Sequence, residues 1–196
     1  MARTGRPRKF DRDIALEAAM NIFWAKGFES TSLADLRDTL NLSSASFYAA
    51  FGSKKELFEE CLSLYTQTCG EVTSYLDNDS VRPREAMQNM LNHLIEVQTS
   101  STSPLGCMAV LSGLNCCDDN KDVEELTYQV RNKTTEAILR CVIRAIDKGE
   151  LPEDINADAY ALMIDSFVKG ISIKAKDGYK KKQLQEAVGL LLSNWQ

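Results

Sequence analysis

Residues 43 to 50 read Ser43, Ser44, Ala45, Ser46, Phe47, Tyr48, Ala49 and Ala50. Hydroxyls and methyl groups in such a run are too small for an ordinary packed core and too weakly charged for an ordinary solvated helix. A surface of that kind suits a close approach. Serine hydroxyls can hydrogen-bond phosphate oxygens or base edges, and an alanine methyl can touch the methyl of thymine. Lys54 follows, flanked by Ser53 and Glu56 at capping-box spacing, so a cation stands beside unpaired N–H groups at a helix start. Thr31 and Ser32, at the start of an earlier helix, offer a phosphate the same chemistry. The N-terminus adds Arg3, Arg6, Arg8, Lys9 and Arg12 against Asp11 alone, a local basic charge that a polyanion can meet.

These residues need elements to hold them. From Asp11, "DRDIALEAAMNIFWAKG" carries Ile14, Ala15, Ala18, Ala19, Ile22 and Phe23 at helical spacing, and Gly27 is expected to stop the helix in a left-handed conformation. Ser32 and Asp35 form a short capping box for a second helix with Leu33, Leu36 and Leu40 on its apolar face. Asn41 and Leu42 make a tight turn, and Ser43 starts a third helix that ends near Phe51, before Gly52. Phe47 and Phe51, four apart, face inward and leave the small residues outward. A fourth helix is expected from Ser53 to about Leu76, and "DNDSVRP" at 77 to 83 reads as a turn. Further helices are expected at about 83–100, 104–117, 121–148, 156–177 and 180–195.

Composition narrows the classes. A hydrophobic fraction of 44% and a charged fraction of 26% fit a folded globular chain, and 10 Gly with 4 Pro leave few breaks in it. No period-2 alternation with hairpin turns is present, so the expectation is all-α. Without an apolar run of 18 residues or an apolar stretch behind the basic N-terminus, we expect no membrane span, a cytoplasmic location and mainly reduced cysteines. The net charge of −5 conceals the basic end, because the remainder of the chain is acidic. One histidine, no phosphate-binding glycine loop and no HExxH motif argue against an enzyme. No cofactor is implied.

Three short helices, with the second and third joined by a tight turn and a basic arm in front, form a helix-turn-helix unit whose third helix enters the major groove. "GFESTSLADL" followed by "SSASFYAAFGSKKEL" resembles the TetR/AcrR family of bacterial transcriptional regulators over residues 11 to 60. "TGRPRKFDRDIAL" and "KGISIKAKDGYKKKQLQEAV" resemble the subgroup of the copper-linked repressor ComR. "GRPRK" also resembles the AT-hook core, whose arginines lie in a narrow minor groove.

The resemblance implies a basic arm (1–10), a three-helix DNA-binding domain (11–60) and a helical-bundle domain (61–196) for ligand binding and dimerisation. It further implies a homodimer on a double-stranded operator, with Ser43 to Ser46 in the groove and Tyr48 and Lys54 on the backbone. An unknown small-molecule effector would release the DNA by tilting the fourth helix. The chain departs from the family at Ala49 and Ala50, where relatives often carry bulkier polar groups. More of the readout then falls on the arm and on DNA shape.

Downstream motifs each have two readings. Tyr160, Ile164, Phe167, Leu184, Val188, Leu191 and Trp195 form apolar faces on the last two helices, suited to intrachain core or to the four-helix dimer interface the family uses. Met90, His93, Cys107, Tyr128, Met163 and Phe167 suit either core or the wall of a ligand cavity. Cys107, Cys116 and Cys117 serve either as small apolar filler or as a metal, electrophile or redox sensor. No closed metal-site spacing is present, so no metal is assigned. An activator is the alternative to a repressor.

Overall fold

The computed structural model describes residues 11–195; the arm with Arg3, Arg6 and Arg8 lies outside them. Among the described residues all regular structure is helical. Helix α1 (Arg12–Lys26) starts where the Asp11 carboxylate accepts the N–H groups of Asp13 and Ile14. It stops at Gly27, whose φ of 81° and ψ of 169° correct the expected left-handed cap to a more extended form that favours glycine. Helix α2 (Leu33–Leu40) carries the full Ser32–Asp35 capping box. It ends on Asn41 in the left-handed region, a conformation a short amide side chain tolerates. Helix α3 (Ser44–Phe51) follows directly, its N-cap Ser43 accepting the Ser46 N–H.

Helix α4 (Lys54–Gln67) is shorter than expected. The chain leaves it through Thr68 to Gly70, where the Gly70 N–H bonds Tyr65 O at 2.7 Å. A Cβ on Gly70 would stand 2.5 Å from the Tyr65 ring, so glycine lets the chain fold over that ring. A single turn, α5 (Thr73–Leu76), leads to α6 (Pro83–Gln98). The helix expected at 104–117 shrinks to α7 (Met108–Leu111), because the carbonyls at both its edges are taken by the N-terminal unit. A 3-10 turn (Asp118–Asn120) precedes α8 (Lys121–Asp147), α9 (Ala157–Lys176) and α10 (Lys181–Ser193).

Two apolar cores result. The first gathers Phe23, Trp24, Phe28, Phe47, Phe51, Phe58 and Tyr65, then runs past position 61 into Met108, Ala109, Cys116 and Val123. The second binds α5, α6, α8, α9 and α10 through Met87, Met90, Leu91, Ile95, Ile138, Val142, Ile164, Leu184, Val188 and Trp195. No helix of the described residues is long and apolar enough to cross a membrane.

Candidate functional site

The outer surface of α3 is built from the inside. Phe47 is fully buried and Phe51 nearly so, which pins the helix on the first core and turns Ser44, Ala45, Ser46, Tyr48 and Ala49 to solvent. The exposed Ser43 hydroxyl caps the helix and bonds Ser46 Oγ at 3.0 Å. Tyr48 is half-exposed, its ring edge-on to Phe47 at 5.6 Å. Lys54 opens α4 with its Nζ 4.2 Å above the Phe28 ring, a cation–π seat whose burial lowers the lysine pKa. Ser53 accepts the Glu56 N–H, so one half of the expected capping box forms.

At the start of α2 the two hydroxyls part company. Ser32 is exposed but already engaged with Asp35, whose carboxylate is held well below its usual pKa chiefly by Lys26, at 2.8 Å, and then by Ser32. Thr31 is fully buried and its hydroxyl donates to Gly27 O at 2.7 Å. Its side chain therefore fixes the α1–α2 turn and has no face toward a phosphate.

A second site lies where the ends of α4 and α6, the α7 segment, α8 and α9 meet. Its apolar wall includes Tyr65, Leu94, Val97, Val110, Val130 and Val168; Gln98, Cys107, Arg131, Asp165, Lys169 and Ser172 give it polarity. The cavity offers about 50 Å³ to water-sized groups. Asp165 pairs with Lys169, and Arg131 donates to Ala109 O at 2.8 Å. Tyr65 donates to Cys107 Sγ at 3.2 Å, and burial raises the pKa of both groups.

Of the six residues expected on a ligand cavity, Cys107 alone lines this one. Met90 is buried in the second core, and the His93 ring lies tilted beside that of Tyr75, centroids 5.1 Å apart. Phe167 packs against that core, while Tyr128 and Met163 are exposed. The signal of the cavity in the sequence is chiefly polar. Asp165, Lys169 and Ser172 recur at i, i+4 and i+7, on one face of α9.

The residues expected at a dimer face lie mostly inside the chain. Ile164, Leu184, Val188 and Trp195 are buried within the chain, and Tyr160, Phe167 and Leu191 pack against them. They form the inward faces of α9 and α10; the outward faces expose Leu162, Met163, Ile173 and Leu190. Cys116 is buried, Cys117 is exposed, and no group of three or more His, Cys, Asp or Glu among the described residues is arranged to hold a metal ion.

The model of the bacterial regulatory proteins of the tetR family matches residues 15–61. The repressor ComR of Escherichia coli K12 is 30% identical over 197 residues, spanning 97% of this chain and 91% of ComR. The chain belongs to the TetR family. It is a DNA-binding transcriptional regulator, in a family of regulators rather than enzymes. BdcR of the same strain, also a repressor, is 28% identical over 92% of this chain and 86% of its own length. Among solved structures, a cysteine mutant of the TetR-family regulator CifR, complexed with 26-base-pair operator DNA, is 33% identical. It superposes with a TM-score of 0.89 over 97% of this chain and 100% of that one.

For a TetR regulator, the link between the two sites is the informative geometry. The segment from Gly106 to Ser112 lines the cavity on one side with Cys107, Ala109 and Val110. On its other side Trp24 Nε1 donates to Gly106 O at 2.9 Å, and the Phe28 N–H donates to Ser112 O at 2.9 Å. Gly106 sits at φ 82°, and a Cβ there would lie 2.8 Å from Ser172 O, a backbone atom of α9. Glycine is required at that crossing. A second strap joins Glu29 to the Cys117 N–H at 2.9 Å and to Asn120 Nδ2 at 2.8 Å, and these bonds lower the glutamate pKa.

Proposed function

We propose that the protein is a dimeric, cytoplasmic repressor that holds an operator and lets go when a small molecule enters the cavity described above. The observation that carries this reading is the shared segment, Gly106 to Ser112, which touches the cavity and, through Trp24 and Phe28, the end of α1 and the turn after it. A ligand that displaces Cys107 or Val110 must move carbonyls to which Trp24 and Phe28 are bonded. Such a shift favours whichever state binds the ligand better.

In this reading residues 11–60 act as the reading head and 61–196 as the sensing and dimerising part, with residues 1–10 as a minor-groove arm. Ser43 to Ser46 face the major groove; Tyr48, Lys54 and Ser32 meet the backbone. The dimer face is the outward surface of α9 and α10. Leu162, Met163, Ile173 and Leu190 stand exposed there, together with Gly170 and Gly189, around whose Cβ positions space is open. A glycine inside a helix costs about 1 kcal/mol relative to alanine. Within one chain nothing recovers that cost, whereas a second helix pair approaching closely does. Metal or thiol sensing is the weaker reading, since burial raises the Cys107 and Cys116 thiols away from the reactive thiolate.

The test is fluorescence anisotropy with DNA upstream of the protein's own gene against scrambled DNA at two salt concentrations. A preference of roughly 10³ or more marks an operator binder. Equal and steeply salt-dependent binding to both would leave only backbone affinity. Light scattering of Leu190→Glu checks the dimer: a monomer that has lost operator binding is expected, and an unchanged mass would move the interface elsewhere.

A further inference from the structure

The lining of the cavity restricts the chemistry of what enters it. Asp165, Gln98 and Ser172 are each at least nine-tenths buried, yet Asp165 Oδ1, Gln98 Oε1 and Ser172 Oγ have no hydrogen-bond partner in the protein. All three side chains line the same cavity. A buried polar atom without a partner carries its desolvation cost unrelieved, so three of them around one space mark a place where another molecule completes the bonding.

The unmet atoms select the partner. Asp165 Oδ1 and Gln98 Oε1 are acceptors, so the guest must donate; Ser172 Oγ can do either. An anion would set its own oxygens against those acceptors, while each cation of the lining already has a partner in the protein. Lys169 is held by Asp165, and Arg131 donates to Ala109 O. A cationic amine meets the opposite objection, because Arg131 and Lys169 outnumber Asp165, the one carboxylate of the lining. What remains is a neutral donor that can also accept, and the smallest such group is a hydroxyl.

Size narrows it further. One water needs about 10–15 Å³ of such space, so the 50 Å³ available fits a molecule of about four or five heavy atoms. Drug-sized ligands fill several hundred Å³. Val97, Val110 and Val168 supply apolar contact for a short carbon skeleton.

We propose that the cavity binds a small uncharged hydroxylic molecule, a short vicinal diol being the best match, whose hydroxyls complete Asp165, Gln98 and Ser172. Its role as the effector rests on the regulatory reading above; its binding does not.

The two are separable by experiment. Calorimetric titration of the full chain without DNA compares propane-1,2-diol, 1-aminopropane and propanoate. The diol is expected to bind saturably at one site per chain, with the amine and the acid roughly tenfold or more weaker, the usual weight of a bond to a charged acceptor. Asp165→Asn is expected to weaken the diol by a similar factor. Gln98→Met, which leaves the Asp165–Lys169 pair intact, provides the same test if the first variant does not fold. No heat from the diol, equal binding of propanoate, or full affinity in a folded Gln98→Met variant would overturn the proposal. Diol binding that leaves an operator complex intact would uphold the site and refute the effector role, and the anisotropy assay reads that outcome separately.

Discussion

The two cores of this protein are made differently. The first is aromatic: Phe58 meets Phe23 at 5.1 Å and Phe28 at 5.2 Å, both edge-on, and Trp24 meets Tyr65 at 4.9 Å. Rings in such contact have few alternative arrangements, and each pair adds about 0.5–1.5 kcal/mol beyond its buried area. The second core is mostly aliphatic, with Met87 and Met90 fully buried in it, and it shares with the first a cavity where polar atoms lack partners. Methionine repacks readily. The N-terminal unit is thus held by a ring cluster that the aliphatic bundle behind it lacks.

Truncation of one residue from each core tests that difference most severely. Phe58→Ala is expected to cost about 3–5 kcal/mol in urea denaturation, because it empties the centre of a ring cluster that cannot close around the gap. Met90→Ala is expected near the lower end of the 2–5 kcal/mol range for such changes. If Met90→Ala proves the more damaging, the bundle is the stiffer of the two and the comparison fails.

The crossing between the regions comes next in size. Gly106→Ala places a methyl against Ser172 O at a φ of 82°. A loss of about 1–3 kcal/mol is expected from the backbone conformation alone. Operator affinity should fall as well, since Gly106 O holds the Trp24 indole. A variant with normal stability and normal DNA binding would show that this segment does not tie the head to the cavity.

Two buried hydroxyls sharpen the comparison at lower cost. Thr127 Oγ1 reaches Gly113 O at 3.1 Å and Glu124 O at 2.9 Å, so Thr127→Val is expected to cost about 1 kcal/mol. Ser172 Oγ has no protein partner, so Ser172→Ala is expected to be neutral or stabilising by up to about 1 kcal/mol. Thermal unfolding of the two variants side by side checks both signs. Equal losses would mean that the Ser172 hydroxyl is satisfied in solution.

The head was far more legible in the sequence than the bundle, for a physical reason. Its helix limits depend on caps a few residues away: Asp11, the Ser32–Asp35 box, Asn41, Ser43 and Ser53. The end of α4 depends on the glycine turn that follows it, and the ends of α7 depend on distant partners. Tyr65 is covered by the turn at Gly70, and Gly106 O and Ser112 O are taken by Trp24 and Phe28, more than 80 positions away in the chain. The apolar periodicity of α9 and α10 located both helices but not the partner of each face. Ile164 and Val188 turned inward, and Leu162 and Leu190 outward. The cavity was hidden for a related reason. Asp165, Lys169 and Ser172 resemble tolerated polar residues until the helices around them are assembled.

The smallest expected effect concerns the strap between head and bundle, and it is read by pH. The Glu29 carboxylate accepts from Asn120 Nδ2 and the Cys117 N–H, which lowers its pKa in the folded protein below 4.5. A lowered folded pKa means that the strap contributes fully above the unfolded value and is lost as pH falls through the folded one. The group is solvent-exposed, so water and salt screen much of the gain. Amide exchange at Cys117 should therefore stay protected near neutral pH and lose protection as the pH falls through the lowered Glu29 pKa, relative to amides deep in the aromatic core. In Glu29→Gln that pH step should vanish while protection of the Phe58 amide is unchanged. If the step persists in the variant, another carboxylate holds the loop, and Glu124, which accepts the Cys116 N–H at 2.9 Å, is the one to replace next.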